Sequence, residues 1–240
     1  MQEKISVIIV AAGTGKRMNS TVKKQYMEIC GYPVLYHTLK AFEESNANEV
    51  IIVTGEDEIA FVREQIVEKY CFKKVTAICA GGKERYDSVY EGLKQVLLKD
   101  EKEGYVLIHD GVRPLITSGL INSCIENVKA YGACIPGVAE KDTVKEAGPD
   151  MDVTGTPDRK KLFRIQTPQC FELTLIKEAF EKYYSEKNTS ADIPEITDDA
   201  MLVERYTGHK VKITEGDYSN IKITTPEDIG LAEYFLKNRD

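Results

Sequence analysis

The sequence predicts an α/β fold, a mostly parallel twisted sheet flanked by helices with a protruding β-arm, and three observations carry that expectation. Strand-like and helix-like patterns alternate through the first half of the chain. The run Ile5-Ser6-Val7-Ile8-Ile9-Val10 is almost wholly β-branched and apolar, as a strand covered on both faces must be. Near the middle the alternation gives way to a polar stretch with turn formers. A length of 240 residues suits one such domain with an elaboration better than two complete domains.

The elements follow in order. After the first strand, residues 33–44 have helical spacing, with Leu35, Leu39 and Phe42 on one face. Residues 50–53 read as the second strand, 58–70 as the next helix, and 75–79 as a third strand ending at Gly81-Gly82. Residues 84–98 read as a helix that turns Val89, Leu93, Val96 and Leu97 inward. Residues 105–108 form a fourth strand, terminated by His109-Asp110-Gly111. Then the order breaks. Residues 138–160 are polar and punctuated by Gly148-Pro149, Gly155 and Pro157, yet hold short alternating stretches such as Thr143-Val144-Lys145. A structureless stretch of about twenty residues is unusual inside a compact domain, so an extended hairpin or arm with a partner is expected there. A short apolar stretch (162–165), a helix (173–184), a linker (185–194), a helix (198–206) and strands at 210–214 and 221–224 complete the order. The last helix starts with Thr225 as N-cap, Pro226 at the first helical position, and Glu227 and Asp228 in the first turn.

Composition excludes several function classes. A net charge of -7 argues against broad nucleic-acid binding, which needs a basic surface to neutralise phosphates. No apolar run approaches the ~20 residues needed to cross a bilayer. Met1-Gln2-Glu3-Lys4 leads straight into the first strand with no room for a signal peptide, so a cytoplasmic protein is expected. The six cysteines show no Cys-x-x-Cys pair and no histidine at zinc-ligand spacing, which reads as reduced, mostly buried thiols.

The loop after the first strand suits a phosphate. Ala11, Ala12, Gly13 and Gly15 let the backbone approach a ligand, and Lys16 and Arg17 add positive charge where a helix would begin. It is not a P-loop, because Arg17 follows Gly15-Lys16 where a metal-holding hydroxyl is required. It is not a dinucleotide fingerprint, because Met18 stands at the third glycine. An ordinary strand-to-helix turn with solvated cations stays open on this segment alone.

In open α/β sheets ligands bind beyond the carboxyl ends of the strands. There the chain places the small-residue loop, the run Gly81 to Ser88, and Asp110 with Arg113 close behind. One carboxylate facing a phosphate loop suits magnesium, which is held partly by protein and partly by substrate phosphates. The alternative for Asp110 is a turn-forming aspartate before glycine, and His109 reads as a packed, hydrogen-bonded histidine. Lys23 and Lys24 form a second basic cluster. Lys222, flanked by Ile221 and Ile223, reads from pattern alone as an ordinary outward lysine on a strand. No Gly-x-Ser-x-Gly elbow, no His-Glu-x-x-His helix and no cysteine nucleophile is evident, so a reaction whose nucleophile is a phosphate on the substrate fits better.

With these residues the chain resembles the 2-C-methyl-D-erythritol 4-phosphate cytidylyltransferases of the non-mevalonate isoprenoid pathway. The resemblance runs through Ala11-Ala12-Gly13, Gly15, Arg17-Met18, Lys24-Gln25-Tyr26, Gly81-Gly82, Glu84-Arg85, Asp87-Ser88-Val89, His109-Asp110 and Arg113-Pro114. It continues through Asp142-Thr143-Val144-Lys145, Asp158-Arg159, Thr167-Pro168-Gln169, Phe171, Thr197-Asp198-Asp199-Ala200 and Asn220-Ile221-Lys222. It implies a Rossmann-like nucleotidyltransferase fold of the GT-A-like kind and transfer of a cytidylyl group from CTP to methylerythritol phosphate. It also implies that Ala11, Ala12, Gly13, Thr14, Gly15, Gly82, Ser88 and Asp110 line the CTP site, mostly through backbone groups. Arg17 and Lys24 would stabilise the pentacoordinate transition state, and Asp110 would engage Mg2+ or another divalent cation. Arg159 and Lys222 would position the acceptor, with Arg113, Thr143, Thr167 and Thr197 as further contacts. The arm would cross to a second subunit of a homodimer, where Thr143 and Arg159 complete the neighbour's site.

Two positions depart from the family pattern. Lys23 stands where proline is frequent, which is expected to loosen the approach to Lys24, and Lys83 replaces a common acidic residue. The competing readings are a ribitol-5-phosphate cytidylyltransferase, which shares the fold, the CTP loop and the Thr-Pro-Gln segment, and a non-catalytic nucleotide sensor on the same fold.

Overall fold

Alternation along the central strands settles which side chains meet which helices. The computed structural model describes residues 3–13, 15, 18, 22–98, 103–189, 193 and 195–239. β1 (Ile5–Val10) sends Val7 and Ile9 into one apolar cluster and Ile8 into another on the opposite face. The short hairpin of β2 (Glu28–Ile29) and β3 (Tyr32–Pro33) leads into α1 (Val34–Glu43). β4 (Glu49–Thr54) is buried throughout and divides its side chains in the same way, Ile52 with Val7 and Ile51 with Ile8. A 3₁₀ turn at Glu56–Glu58 and α2 (Ile59–Phe61) widen into π geometry over Val62–Glu68, followed by β5 (Val75–Ala80), α3 (Arg85–Leu97) and β6 (Tyr105–Asp110).

β1 pairs in parallel with β4 on one side and β6 on the other, while β5 extends the sheet beyond β4. The chain thus builds outward from β1 and then reverses. Right-handed crossovers require the covering helices to change face at such a reversal. Accordingly α1 and the 62–68 turn pack with Val7, Ile9 and Ile52, whereas α3 packs with Ile8, Ile51 and Val53. The reversal opens a crevice at the carboxyl ends of β1 and β6, where Ala11, Ala12, Gly13 and Asp110 lie.

The second half continues with α4 (Ser118–Tyr131), β7 (Ala133–Ala139), an outlying hairpin of β8 (Glu146–Ala147) and β9 (Val153–Gly155), and β10 (Phe163–Ile165). A cis Thr167–Pro168 peptide precedes β11 (Gln169–Glu172). α5 (Leu173–Thr189), α6 (Asp199–Thr207), β12 (Lys212–Glu215) and α7 (Glu227–Lys237) follow. β11 pairs antiparallel with both β6 and β7, and β7 also takes β10 antiparallel and β12 parallel, giving an eight-stranded, mostly parallel sheet. A third cluster under α7, including Met18, Val34, Val112, Leu115 and Ile223, seals the carboxyl end of the sheet beside the crevice.

Several expectations are corrected. α4, β7 and β11 were not expected from pattern: α4 carries Gly119, Asn122 and Ser123 among its apolar positions, and β11 has only four residues. α5 runs on to Thr189, into the expected linker, where Lys187 sits over the ring of Tyr86 and pairs with Asp87. The expected strand at 221–224 makes no ladder; this segment is held by the Ile223 amide donating to the Val112 carbonyl at 2.9 Å. Thr225 is not the cap of α7. Asp228 reaches back instead, its Oδ2 accepting from the amides of Thr224 at 2.7 Å and Thr225 at 2.9 Å. Of the six free cysteines, Cys124, Cys134 and Cys170 are buried, Cys30 and Cys79 are partly covered, and Cys71 is exposed. No described helix is long and apolar enough to cross a membrane.

Candidate active site

A cleft of about 360 Å³ opens at the crevice, lined by Ala11, Ala12, Gly13, Lys24, Gly82, Ser88, Asp110 and Lys222 among others. One side of it is held by backbone and small residues. Gln25, only 1% exposed, donates from Nε2 to the carbonyls of Ala11 at 2.7 Å and Gly13 at 3.2 Å, so one buried amide fixes the course of the loop. Gly15 adopts φ of 65°, where a side chain would be strained. Across the cleft, Ser88 Oγ accepts from the Gly82 amide and donates to the Glu84 carbonyl, each at 3.1 Å, while Asp87 Oδ2 accepts from the Glu84 amide at 3.1 Å. A Cβ on Gly82 would overlap the Asp87 Cβ, so the turn onto α3 needs glycine at that point.

Asp110 is the electrostatic centre of the site. Its Oδ1 lies 3.2 Å from Arg85 Nε, and its Oδ2 lies 2.9 Å from Lys222 Nζ and 3.6 Å from Arg113 Nε. Burial alone would raise its pKa, but Arg85, Lys222 and Arg113 outweigh that and hold the carboxyl far below the usual carboxylate range. The amide of Asp110 donates to Thr167 Oγ1 at 3.2 Å, and that hydroxyl lies 3.0 Å from His109 Nδ1. His109 is fully buried against Phe42, and burial pushes its pKa down to about 3, so it is neutral packing at the back of the site.

A second cleft of about 160 Å³ adjoins the first and shares its wall of Arg85, Asp110 and Lys222; Arg113, Thr167 and Thr197 also line it. Arg113 Nη1 donates to the Asn220 carbonyl at 2.8 Å, and Asn220 Nδ2 donates to the Thr167 carbonyl at 3.0 Å, which ties the 220–223 segment to the loop before β11. Lys24 Nζ donates to the Ile223 carbonyl at 2.9 Å. The lysine that pattern alone turned outward therefore points inward: Lys222 is carried over the cleft by a segment anchored from both sides, and its ammonium faces Asp110.

Most of the residues singled out in the sequence thus gather around two connected clefts. Thr14, Lys16 and Arg17 lie outside the described residues. Thr143 and Arg159 are exposed on the arm and line neither cleft; Arg159 Nη1 donates to the Lys141 carbonyl at 3.1 Å. Lys23 has a partner, its Nζ lying 2.9 Å from Oε1 of the nearly buried Glu58 in the 3₁₀ turn after β4. Sequence reasoning gave no role to Gln25, Arg85 or Asp199, although each lies inside a quoted motif. Arg85 and Asp199 stand at helix starts, which was the available signal for them; Gln25, between Lys24 and Tyr26, offered none.

The donor set can be tested against a divalent cation. Among the described residues no three His, Cys, Asp or Glu side chains gather to hold one. A single carboxylate completed by phosphate oxygens and water is nevertheless the usual way to hold magnesium, and Asp110 at the junction of the clefts fits that arrangement.

Comparison with known proteins agrees with this geometry. Residues 5–238 match the family described as IspD, 2-C-methyl-D-erythritol 4-phosphate cytidylyltransferase. A protein of that name from Lachnoclostridium phytofermentans is 48% identical over 235 residues, covering 98% of this chain and 97% of its own. Another from Alkaliphilus oremlandii is 49% identical over 237 residues, covering 98% and 96%. The crystal structure of 4-diphosphocytidyl-2C-methyl-D-erythritol synthase from Anaerococcus prevotii superposes with a TM-score of 0.82 at 37% identity, covering 98% of this chain and 97% of that one. That of the Thermus thermophilus 2-C-methyl-D-erythritol 4-phosphate cytidylyltransferase gives 0.74 at 28% identity, covering 98% and 99%. From its α/β sheet to the paired clefts at the carboxyl ends of β1 and β6, the chain belongs to the IspD family of 2-C-methyl-D-erythritol 4-phosphate cytidylyltransferases.

Proposed function

We propose that this chain transfers the cytidylyl group of CTP to 2-C-methyl-D-erythritol 4-phosphate, releasing pyrophosphate, as a step of isoprenoid synthesis in the cytoplasm. The observation that carries the reading is the shared wall of the two clefts. A backbone-lined cleft suited to a nucleotide and a cation-lined one suited to a phosphate monoester meet at Asp110, Arg85 and Lys222. An oxygen of the acceptor phosphate attacks the α-phosphorus, a new P–O bond forms, and the bond to the β-phosphate breaks with its electron pair leaving on pyrophosphate. No protein nucleophile is needed, and catalysis rests on positioning and on charge placed where it develops.

In this reading the loop at 11–15, Gly82 and Ser88 receive the triphosphate and base. Lys24, together with Arg17, stabilises the reacting phosphorus. Lys222 exchanges Asp110 for the acceptor phosphate, with Arg113, Thr167 and Thr197 shaping that pocket. A divalent cation would be held by Asp110 and the substrate phosphates, and it supplies neutralisation of charge on the leaving group. Thr143 and Arg159, which reach neither cleft of their own chain, serve a second copy in a homodimer joined through the arm.

The test is pyrophosphate release from CTP and magnesium with methylerythritol phosphate and ribitol 5-phosphate offered separately. Faster turnover with the methylerythritol phosphate is expected. A preference for ribitol phosphate would reassign the acceptor, and turnover with neither would leave only nucleotide binding.

A further inference from the structure

Asp199 is the first residue of α6 and has no exposed surface, yet it carries a carboxylate. Its Oδ2 lies 2.8 Å from Arg85 Nη1, and Arg85, the first residue of α3, reaches Asp110 Oδ1 with Nε at 3.2 Å. The other oxygen of Asp110 faces Lys222 at 2.9 Å and Arg113 at 3.6 Å. The two oxygens of that carboxylate are therefore divided, one to a guanidinium that Asp199 also holds and one to Lys222 and Arg113.

The hold on Asp199 is itself anchored in the sheet. Gln169 on β11, 2% exposed, accepts at Oε1 from the amides of Asp199 and Ala200, each at 3.0 Å, and donates from Nε2 to Asp198 Oδ2 at 3.0 Å. A guanidinium presents its donors in a rigid planar fork, so two acids at fixed positions determine its orientation in a way a lysine would not. A buried ion pair contributes little net stability compared with apolar packing, because desolvation offsets the attraction. The clamp is better explained by where it puts Asp110 than by what it adds to the fold.

We infer that Asp199 is a positioning residue for the transfer: by holding Arg85 it commits Oδ1 of Asp110 and leaves Oδ2 to Lys222 and the incoming substrates. This rests on the transfer reaction proposed above. Without the Asp199 charge, Arg85 has Asp110 as its sole acidic partner among the described contacts and rotates toward bidentate pairing with it, drawing Oδ2 away from Lys222.

The experiment compares Asp199→Asn, Asp110→Asn and the double variant with the wild-type protein in pyrophosphate release from CTP, magnesium and methylerythritol phosphate. Beside this, the Arg85 Nε–H resonance is followed by nitrogen-15 NMR and identified by its loss in Arg85→Lys. Asp199→Asn is expected to lower kcat about 10- to 100-fold, as for a small misplacement of catalytic groups, with KM for CTP within about 3-fold. Because Asp199 acts through Asp110, the double variant is expected within about 3-fold of Asp110→Asn alone. The Arg85 resonance should shift in Asp199→Asn. Wild-type turnover in Asp199→Asn, losses that multiply in the double variant, or an unmoved Arg85 resonance would overturn the inference. Should Asp199→Asn not fold, Arg85→Lys, which keeps the charge and loses the fork, carries the same kinetic expectation. If the wild-type protein releases no pyrophosphate, the transfer reading fails on its own account, and the resonance alone decides the clamp.

Discussion

Lys222 Nζ stands 2.9 Å from Asp110 Oδ2 although the two residues lie on segments that share no strand ladder. The contact exists because the Ile223 amide bonds to Val112, two residues past Asp110, and because Ile223 itself is buried in the cluster under α7. An apolar residue beside the lysine thus sets the depth of the ammonium.

Removing that ammonium should separate acceptor from nucleotide. Lys222→Ala is expected to lower kcat/KM for methylerythritol phosphate by about 100-fold, the cost of misplacing the attacking phosphate, while KM for CTP changes little. Steady-state kinetics with each substrate varied in turn checks this. A loss confined to CTP affinity would move Lys222 to the nucleotide side.

Gln25→Ala tests the loop from beneath. Its amide satisfies the Ala11 and Gly13 carbonyls from inside the protein, so the truncation leaves buried acceptors unpaired at a cost of about 1–3 kcal/mol. Urea unfolding should show that loss, and CTP binding measured by calorimetry should weaken in parallel because the loop loses its fixed course. Full stability with weakened CTP binding would instead mean that Gln25 contacts the nucleotide.

These two residues show how far the sequence could be read. β1 was plain because its apolar residues are consecutive, and alternating elements pointed to the α/β class, while the order of the strands, with its reversal at β1, follows from which edges pair. From pattern alone Lys222 was turned outward, because strand alternation was applied to a segment that is pinned by tertiary contacts and forms no ladder, whereas the family resemblance placed it beside the acceptor. α4 was missed although Ile121, Cys124, Ile125 and Val128 stand at helical spacing behind Thr117 as N-cap, and β7 was missed because Pro136 and Gly137 interrupt its apolar run. Asp199 resembled any acidic residue at a helix start, and its burial depends on Gln169 and Arg85 arriving from distant segments.

Lys23 offers a milder perturbation. Its pairing with Glu58 at 2.9 Å ties the Lys24 turn to the 3₁₀ turn after β4, and Tyr26 also holds Thr54 at the end of β4 through hydroxyls 2.8 Å apart. A partly exposed pair is worth up to about 1 kcal/mol, so Lys23→Ala should reduce kcat by no more than about 5-fold. A drop as large as that of Lys24→Ala would show that the turn has no other effective anchor. Thermal unfolding of the same variant reports whether the loss is local.

Arg159 lies exposed on the arm and away from both clefts of its own chain, which makes the proposed exchange between subunits testable by mixing. Lys24→Ala and Arg159→Ala should each be nearly inactive alone. If the arm serves the neighbour, a mixed dimer holds one site with both defects and one with neither. Random reassortment of equal amounts then restores about a quarter of wild-type activity, since half the dimers are mixed and each has one intact site. If Arg159 served its own chain, every site in the mixture would carry one defect and no activity would return. Pyrophosphate release measured after co-refolding the two variants distinguishes these outcomes, with each variant refolded alone as the control.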